Sequence, residues 1–196
     1  MKHDRRQEIL TAAMELFAKK GFRGTTTRDL ATHAEVNEAI IFRHFNTKEE
    51  LYSAILECKA GENREALVEE IERLATGTDD AKFFETLFTK FLERHEHDTN
   101  FLRLLLFSAL EGHQLSEMFV STLDARNPIA SYIRRRINEG AFRQVNPELA
   151  TRALFGMFFS FVLTQEVLGF KKIHSHDREE VVRTFVSIFL SGITKE

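Results

Sequence analysis

Between Thr25 and Leu51 the chain reads TTTRDLATHAEVNEAIIFRHFNTKEEL, and its apolar residues fall in two short helical bursts. Leu30, Ala31 and Ala34 make the first, and Ile40, Ile41 and Phe45 the second, with only Glu35, Val36 and Asn37 between them. Thr26 with Asp29 three residues on forms a capping box for one helix, and Asn37 can cap the next. Each helix is about two turns long, too short to stand alone in water. Both must therefore pack on a third element. The segment before them supplies it: Ile9, Leu10, Ala13, Met14, Leu16 and Phe17 keep the rhythm of one apolar stripe over roughly Arg5–Lys20. Lys19 and Lys20 suit the negative end of its dipole, and Gly21 is placed as its C-cap. Leu30, Ala34, Ile41 and Phe45 are expected to pack on Leu10, Met14 and Phe17, with small Ala31 allowing a close crossing.

The rest of the chain is also helical in pattern. With 2 Pro, 9 Gly and almost no alternating Val, Thr and Ile, sheet is not expected, and the fold class is all-α with about nine helices. Thr47 with Glu50 predicts a second capping box that starts a helix reaching about Leu74. Further helical segments follow near 80–96, 99–111, 115–139, 147–169 and 177–193. The clearest break is NEGAFRQVNPEL, with Gly140 as a stop and Asn146–Pro147 opening the next helix. Two domains are expected, 1–51 and 52–196.

Several function classes are disfavoured. The N-terminus carries no apolar run behind its positive charges, and the densest apolar run, Ala153–Leu163, falls short of the roughly 20 residues that span a bilayer. A lone cysteine, Cys58, fits a reducing cytoplasm. The pairs His95/His97 and His174/His176 are spaced i, i+2, which points their imidazoles to different helix faces, so no metal site is expected. There is no phosphate-binding Gly-rich loop and no nucleophile elbow. Neither an enzyme nor a cofactor is expected.

Charge points elsewhere. Residues 1–48 hold nine Lys and Arg against six Asp and Glu, while the whole chain is at −3. A positive head on a negative body suits a protein that presents one end to a polyanion. With the second short helix packed through Ile41 and Phe45, the face left outward carries Glu38, Ala39, Phe42, Arg43 and His44, which a DNA major groove can admit. Thr26, Thr27 and Arg28 open the first short helix, where backbone N–H groups attract phosphate, and Lys48 does the same at the start of the fourth helix. Asn37 joins this set as the cap of the reading helix.

These residues carry a resemblance. TTTRDLATHAEVNEAIIFRHFNTKEELYSAIL, behind RQEILTAAMELFAKKGF, resembles the tetracycline-repressor (TetR) family of bacterial transcription regulators over about the first 56 residues. The resemblance implies a symmetric dimer whose C-terminal domain binds a small molecule and thereby lowers affinity for operator DNA. Four departures stand out. Glu35 replaces a frequent Gly and would be strained at positive φ. Asn37 replaces a Ser or Thr cap, Ala39 a common Gly, and Phe42 a common Tyr whose hydroxyl reaches phosphate.

The C-terminal part is rich in phenylalanine, at 19 in the whole chain. Most of these rings are expected to be core, yet a bundle built on them could leave an apolar pocket. Phe84, Phe88, Phe107, His113, Phe119, Phe158 and Gln165 are the candidates for binding a small apolar ligand; by the resemblance the pocket lies among the middle helices. The last two long helices read as a homodimer surface, with Leu154, Phe158, Phe161, Val182, Phe185, Val186 and Phe189 as its apolar residues. The expected function is a cytoplasmic regulator that reads a palindromic operator in double-stranded DNA and is released by that ligand. Two rivals are a protein of the same fold with no small-molecule switch, its pocket filled by Phe, and a helical enzyme or carrier with an incidental helix-turn-helix.

Overall fold

A computed structural model describes residues 5–74, 77, 79–112 and 128–195. Among them are nine α-helices: α1 Arg5–Lys20, α2 Thr27–His33, α3 Glu38–His44, α4 Lys48–Leu74, α5 Asp80–His97, α6 Asn100–Leu110, α7 Pro128–Asn138, α8 Pro147–Val162 and α9 Arg178–Ile193. No strand occurs among the described residues; one isolated antiparallel bridge pairs Phe142 with Thr194. Nor is any described helix long and apolar enough to cross a membrane.

Local signals set most of the boundaries. Gly21 ends α1 at φ +73, its N–H on the Phe17 carbonyl at 2.9 Å. Asn146 caps α8 through the Leu149 N–H, with Pro147 in the first turn. Two expectations need correction. Glu50 donates its N–H to Thr47 Oγ1 at 3.0 Å, but its carboxylate reaches past Thr47 to the Asn46 N–H at 2.9 Å, so the reciprocal half of the box is displaced by one residue. The segment expected over 147–169 leaves α-geometry at Leu163: a π-helical turn spans Leu163–Val167, the Leu168 N–H bonds the Leu163 carbonyl at 2.9 Å, and Gly169 at φ 79 ends it. Residues 115–127 of the segment expected over 115–139 lie outside the described residues.

The chain divides into two compact units, Met1–Arg64 with Asn100–Leu123, and Glu65–Thr99 with Asp124–Glu196. The first extends well past residue 51. Its core joins Leu10, Phe17, Leu30, Ile41 and Phe45 to Leu51, Tyr52 and Ile55 of α4 and Leu104 of α6, each at most 3% exposed. Tyr52 ties these together: its ring meets Phe17 edge-on at 4.9 Å, and its hydroxyl donates to the Leu104 carbonyl at 3.2 Å. Burial pushes the Tyr52 phenol up to about 12, so it remains a donor.

The second unit packs α5 against α8 and α9, with α7 on α8. Its interior is aromatic. Phe88 stacks on Phe158 at 4.0 Å, Phe83 on Tyr132 at 3.7 Å, and Phe84 meets Phe189 edge-on at 5.3 Å. At one end the Asp80 carboxylate accepts from Tyr132 Oη at 2.7 Å and from both Nε and a terminal nitrogen of Arg136 at 2.8 and 3.0 Å. This bidentate pair holds the guanidinium charged, raising its pKa.

Candidate nucleic-acid interface

The α2–α3 pair is built by side chains that satisfy its own helix ends. Asp29 accepts from the Thr26 N–H at 3.0 Å, while its own N–H donates to Thr26 Oγ1 at 3.1 Å, which is the predicted box. The Thr26 N–H, then its hydroxyl, then Lys20 hold the Asp29 carboxyl down at about 2. Asn37 Oδ1 accepts the Ile40 N–H at 2.9 Å and starts α3.

The turn between them is a Schellman closure. The Val36 N–H bonds the Ala31 carbonyl at 2.9 Å and the Glu35 N–H bonds Thr32 at 3.3 Å. That geometry requires a left-handed residue, and Glu35 stands there at φ 54, so the strain anticipated from the missing glycine is present. Val36 is half-buried and packs on the core, fixing the angle between the helices.

Packing through Ile41 and Phe45, 2% and 1% exposed, leaves Glu38, Ala39, Phe42 and Arg43 outward, Phe42 at 46%. Arg28 and Thr26 are also exposed, and Thr27 is half-buried. Thr27 Oγ1 donates to the Glu38 carboxylate at 2.8 Å, orienting that acid from across the turn.

Two expected DNA contacts sit otherwise. His44 is half-buried with its Nε2 turned into the protein, where it has no hydrogen-bond partner among the described residues. Lys48 folds back: its Nζ donates to the carbonyls of Phe22 and Thr25, both at 2.9 Å, and lies 4.1 Å from the centre of the Phe22 ring. Those acceptors lie more than twenty residues upstream, beyond the reach of a local pattern. Also unread in the sequence was Glu111 of the turn after α6, whose carboxylate accepts the Phe22 and Arg23 N–H groups at 3.0 and 3.1 Å.

The C-terminal candidates are redistributed by burial. Phe84, Phe88 and Phe158 are 0–1% exposed and turn their faces to other rings, so they form core rather than an open wall. Gln165 is buried within the π-turn, Phe107 is half-buried in the first unit, and His113 and Phe119 lie outside the described residues. Of the expected dimer residues, Leu154, Phe158, Val182, Val186 and Phe189 are at most 7% exposed within one protomer. They cannot form the open face, because α8 and α9 spend them on the interior shared with α5. Phe161 and Phe185 are half-buried, edge-on to each other at 5.9 Å. The surface left open on α8 and α9 carries Leu149, Ala153, Gly156 and Ser160, and Thr184, Ser187, Ile188 and Ser191, together with the charged Glu148, Arg152, Glu179, Glu180 and Arg183.

Among the described residues no cluster of three or more metal-ligating side chains forms. What forms instead is a capped, outward short helix braced by a second one and by α1, a helix-turn-helix for DNA. The comparisons agree. Residues 9–55 match the model of bacterial regulatory proteins of the tetR family, and residues 85–192 match the C-terminal domain of AefR-like transcriptional repressors. The chain belongs to the TetR family of transcriptional regulators. It is 26% identical over 191 residues to the HTH-type regulator YvkB of Bacillus subtilis, covering 97% of both chains. It is also 26% identical over 198 residues to the transcriptional repressor KstR2 of Rhodococcus jostii, covering 98% of this chain and 92% of that one. Among solved structures, FadR of Bacillus subtilis in complex with stearoyl-CoA superposes with a TM-score of 0.76 at 21% identity, covering 95% and 98% of the two chains. The SmeT–triclosan complex superposes at 0.72 and 19% identity, covering 98% and 92%. At these identities the two structures share the fold.

Proposed function

We propose that the protein is a homodimeric repressor acting in the cytoplasm, which reads a palindromic operator with α3 and is released by a small apolar ligand. The observation that carries the reading is the outward face of α3, where Glu38, Ala39, Phe42 and Arg43 stand clear of the core while both flanking turns are fully capped. Arg43 offers a fork for guanine, and Glu38, held by Thr27, offers an acceptor for the amino group of cytosine. Phe42 presents a ring to a thymine methyl. Exposed Thr26 and Arg28 face the backbone on either side.

Dimerisation brings two such helices to one duplex. The open surface of α8 and α9 suits it: Ala153, Gly156, Ser160, Ser187 and Ser191 permit close approach, Leu149 at 63% and Ile188 at 59% exposure supply apolar contact, and exposed Arg152 and Arg183 stand among exposed Glu148, Glu179 and Glu180. Paired with its symmetry mate, that surface forms a four-helix bundle.

Support for the ligand comes from two neighbours of the same fold, one bound to stearoyl-CoA, whose acyl chain is apolar, and one to triclosan, an apolar aromatic. In this chain the half-buried rings Phe91 and Phe155, 5.1 Å apart, and buried Gln165 supply comparable chemistry. A second reading, the same regulator without a switch, is favoured by the close stacking of Phe88 on Phe158. A thermal-shift panel of long-chain acyl thioesters and apolar aromatics separates them. A compound that raises Tm and frees operator DNA supports the switch. A panel with no shift favours the switchless reading.

A further inference from the structure

The turn that leads from α1 into α2 is gripped from two sides by opposite charges. On one side the Glu111 carboxylate takes the Phe22 N–H on one oxygen and the Arg23 N–H on the other, at 3.0 and 3.1 Å. The Arg23 guanidinium returns a hydrogen bond to the Glu111 carbonyl at 3.3 Å. On the other side the Lys48 ammonium takes the Phe22 and Thr25 carbonyls, both at 2.9 Å. Within the turn Thr25, only 1% exposed, donates its hydroxyl to the Gly21 carbonyl at 2.8 Å. The fit is tight: a Cβ at Gly21 would fall 2.7 Å from a Glu111 oxygen, and one at Gly24 only 2.2 Å from the Lys20 carbonyl.

We propose that Glu111 and Lys48 are positioning residues for operator binding, which act through the Phe22–Thr25 turn and touch no DNA. The inference rests on the operator-binding reading above. Four backbone groups of one four-residue turn are held by two side chains from α4 and the turn after α6. The next residue, Thr26, begins the capping box of α2, and α2 carries α3. Losing either charge frees the turn to move the α2–α3 pair as a body. Lys48 has spent two of its three donors on carbonyls, which is the opposite of a side chain reaching for phosphate.

The two roles differ in sign and in salt dependence. If Glu111 acted on DNA through its charge alone, Glu111→Gln would tighten binding to a polyanion by removing a repulsion. Positioning predicts the reverse, a loss of about tenfold for each protomer, as expected for one charge-assisted hydrogen bond in each. If Lys48 contacted phosphate, Lys48→Met would reduce the slope of log affinity against log salt by roughly two, one contact for each protomer of the dimer. Positioning predicts weaker binding with an unchanged slope.

The experiment takes full-length wild type, Glu111→Gln and Lys48→Met, and titrates each on the operator that wild type selects, with active fractions determined and temperature well below each Tm. Faster amide exchange at Phe22 and Arg23 in Glu111→Gln accompanies the expected loss. Equal or tighter operator binding by Glu111→Gln, or a slope reduced by about two in Lys48→Met, overturns the proposal. If Glu111→Gln does not fold, the Lys48→Met slope still decides for Lys48, and the clamp stands or falls with it. Wild type that selects no operator contradicts the function reading instead, and is told apart by that first step.

Discussion

Glu35 shows how much of this molecule is decided one residue at a time. The Schellman turn asks for a left-handed residue, and the chain supplies a glutamate at φ 54 where glycine would be unstrained. Glu35→Gly should therefore stabilise the protein by about 0.5–1 kcal/mol, after the larger unfolded-state entropy of glycine is subtracted. Calorimetry should show Tm rising by roughly 1–4 °C; a lower Tm would mean that the glutamate side chain contributes more than the backbone loses. This strain was implied by the resemblance, since glycine is frequent in the family where Glu35 stands, whereas the caps at Thr26 and Asn37 are written in residues three apart. Lys48 and Glu111 were not legible in the same way. A lysine at the first position of a helix reads as an exposed charge, and only the fold shows that Phe22 and Thr25 place their carbonyls within 2.9 Å of it.

At the scale of the element, α2 depends on one carboxylate. Asp29 has its pKa lowered from 3.8 to about 2, first by the Thr26 backbone N–H. A carboxyl with a depressed folded-state pKa contributes stability that is complete above its ordinary value and is lost as pH falls towards the folded one. Wild type should thus exceed Asp29→Asn in Tm by a constant margin above pH 3.8, with the margin shrinking as pH approaches 2. A margin that persists undiminished at pH 2 would assign the effect to something other than ionisation. The element scale is also where sequence reading ran out. Helix α8 is apolar on nearly every face, so periodicity cannot say which face meets the protomer core. Its large residues Leu154 and Phe158 turned inward, and the small ones, Ala153, Gly156 and Ser160, were left outside. Size settled the matter: phenylalanine fills an interior, while a small-residue face permits close approach by another helix. For the same reason Phe158→Ala should lower stability by about 3–5 kcal/mol, as a core truncation does.

The whole molecule joins a DNA-reading head to a C-terminal unit in which α8 and α9 leave a face of small residues open. Ile188 projects from that surface, and an added Cβ at Gly156 meets nothing within 4 Å. Ile188→Asp and Gly156→Arg should therefore leave the protomer folded, with unchanged helical content, while converting a dimer to the 22.7 kDa chain in sedimentation. Both variants remaining dimeric would place the interface elsewhere. In the proposed reading two half-sites are bound together, so loss of the dimer should also cost most of the operator affinity. The central claim is that α3, set by its caps and by the turn before α2, reads bases in pairs. Its most direct test is selection of fragments bound by the wild-type protein from random DNA at about physiological salt. The account predicts an inverted repeat with half-sites about one helical turn apart; recovery of sequence-independent fragments, or of none, would contradict it.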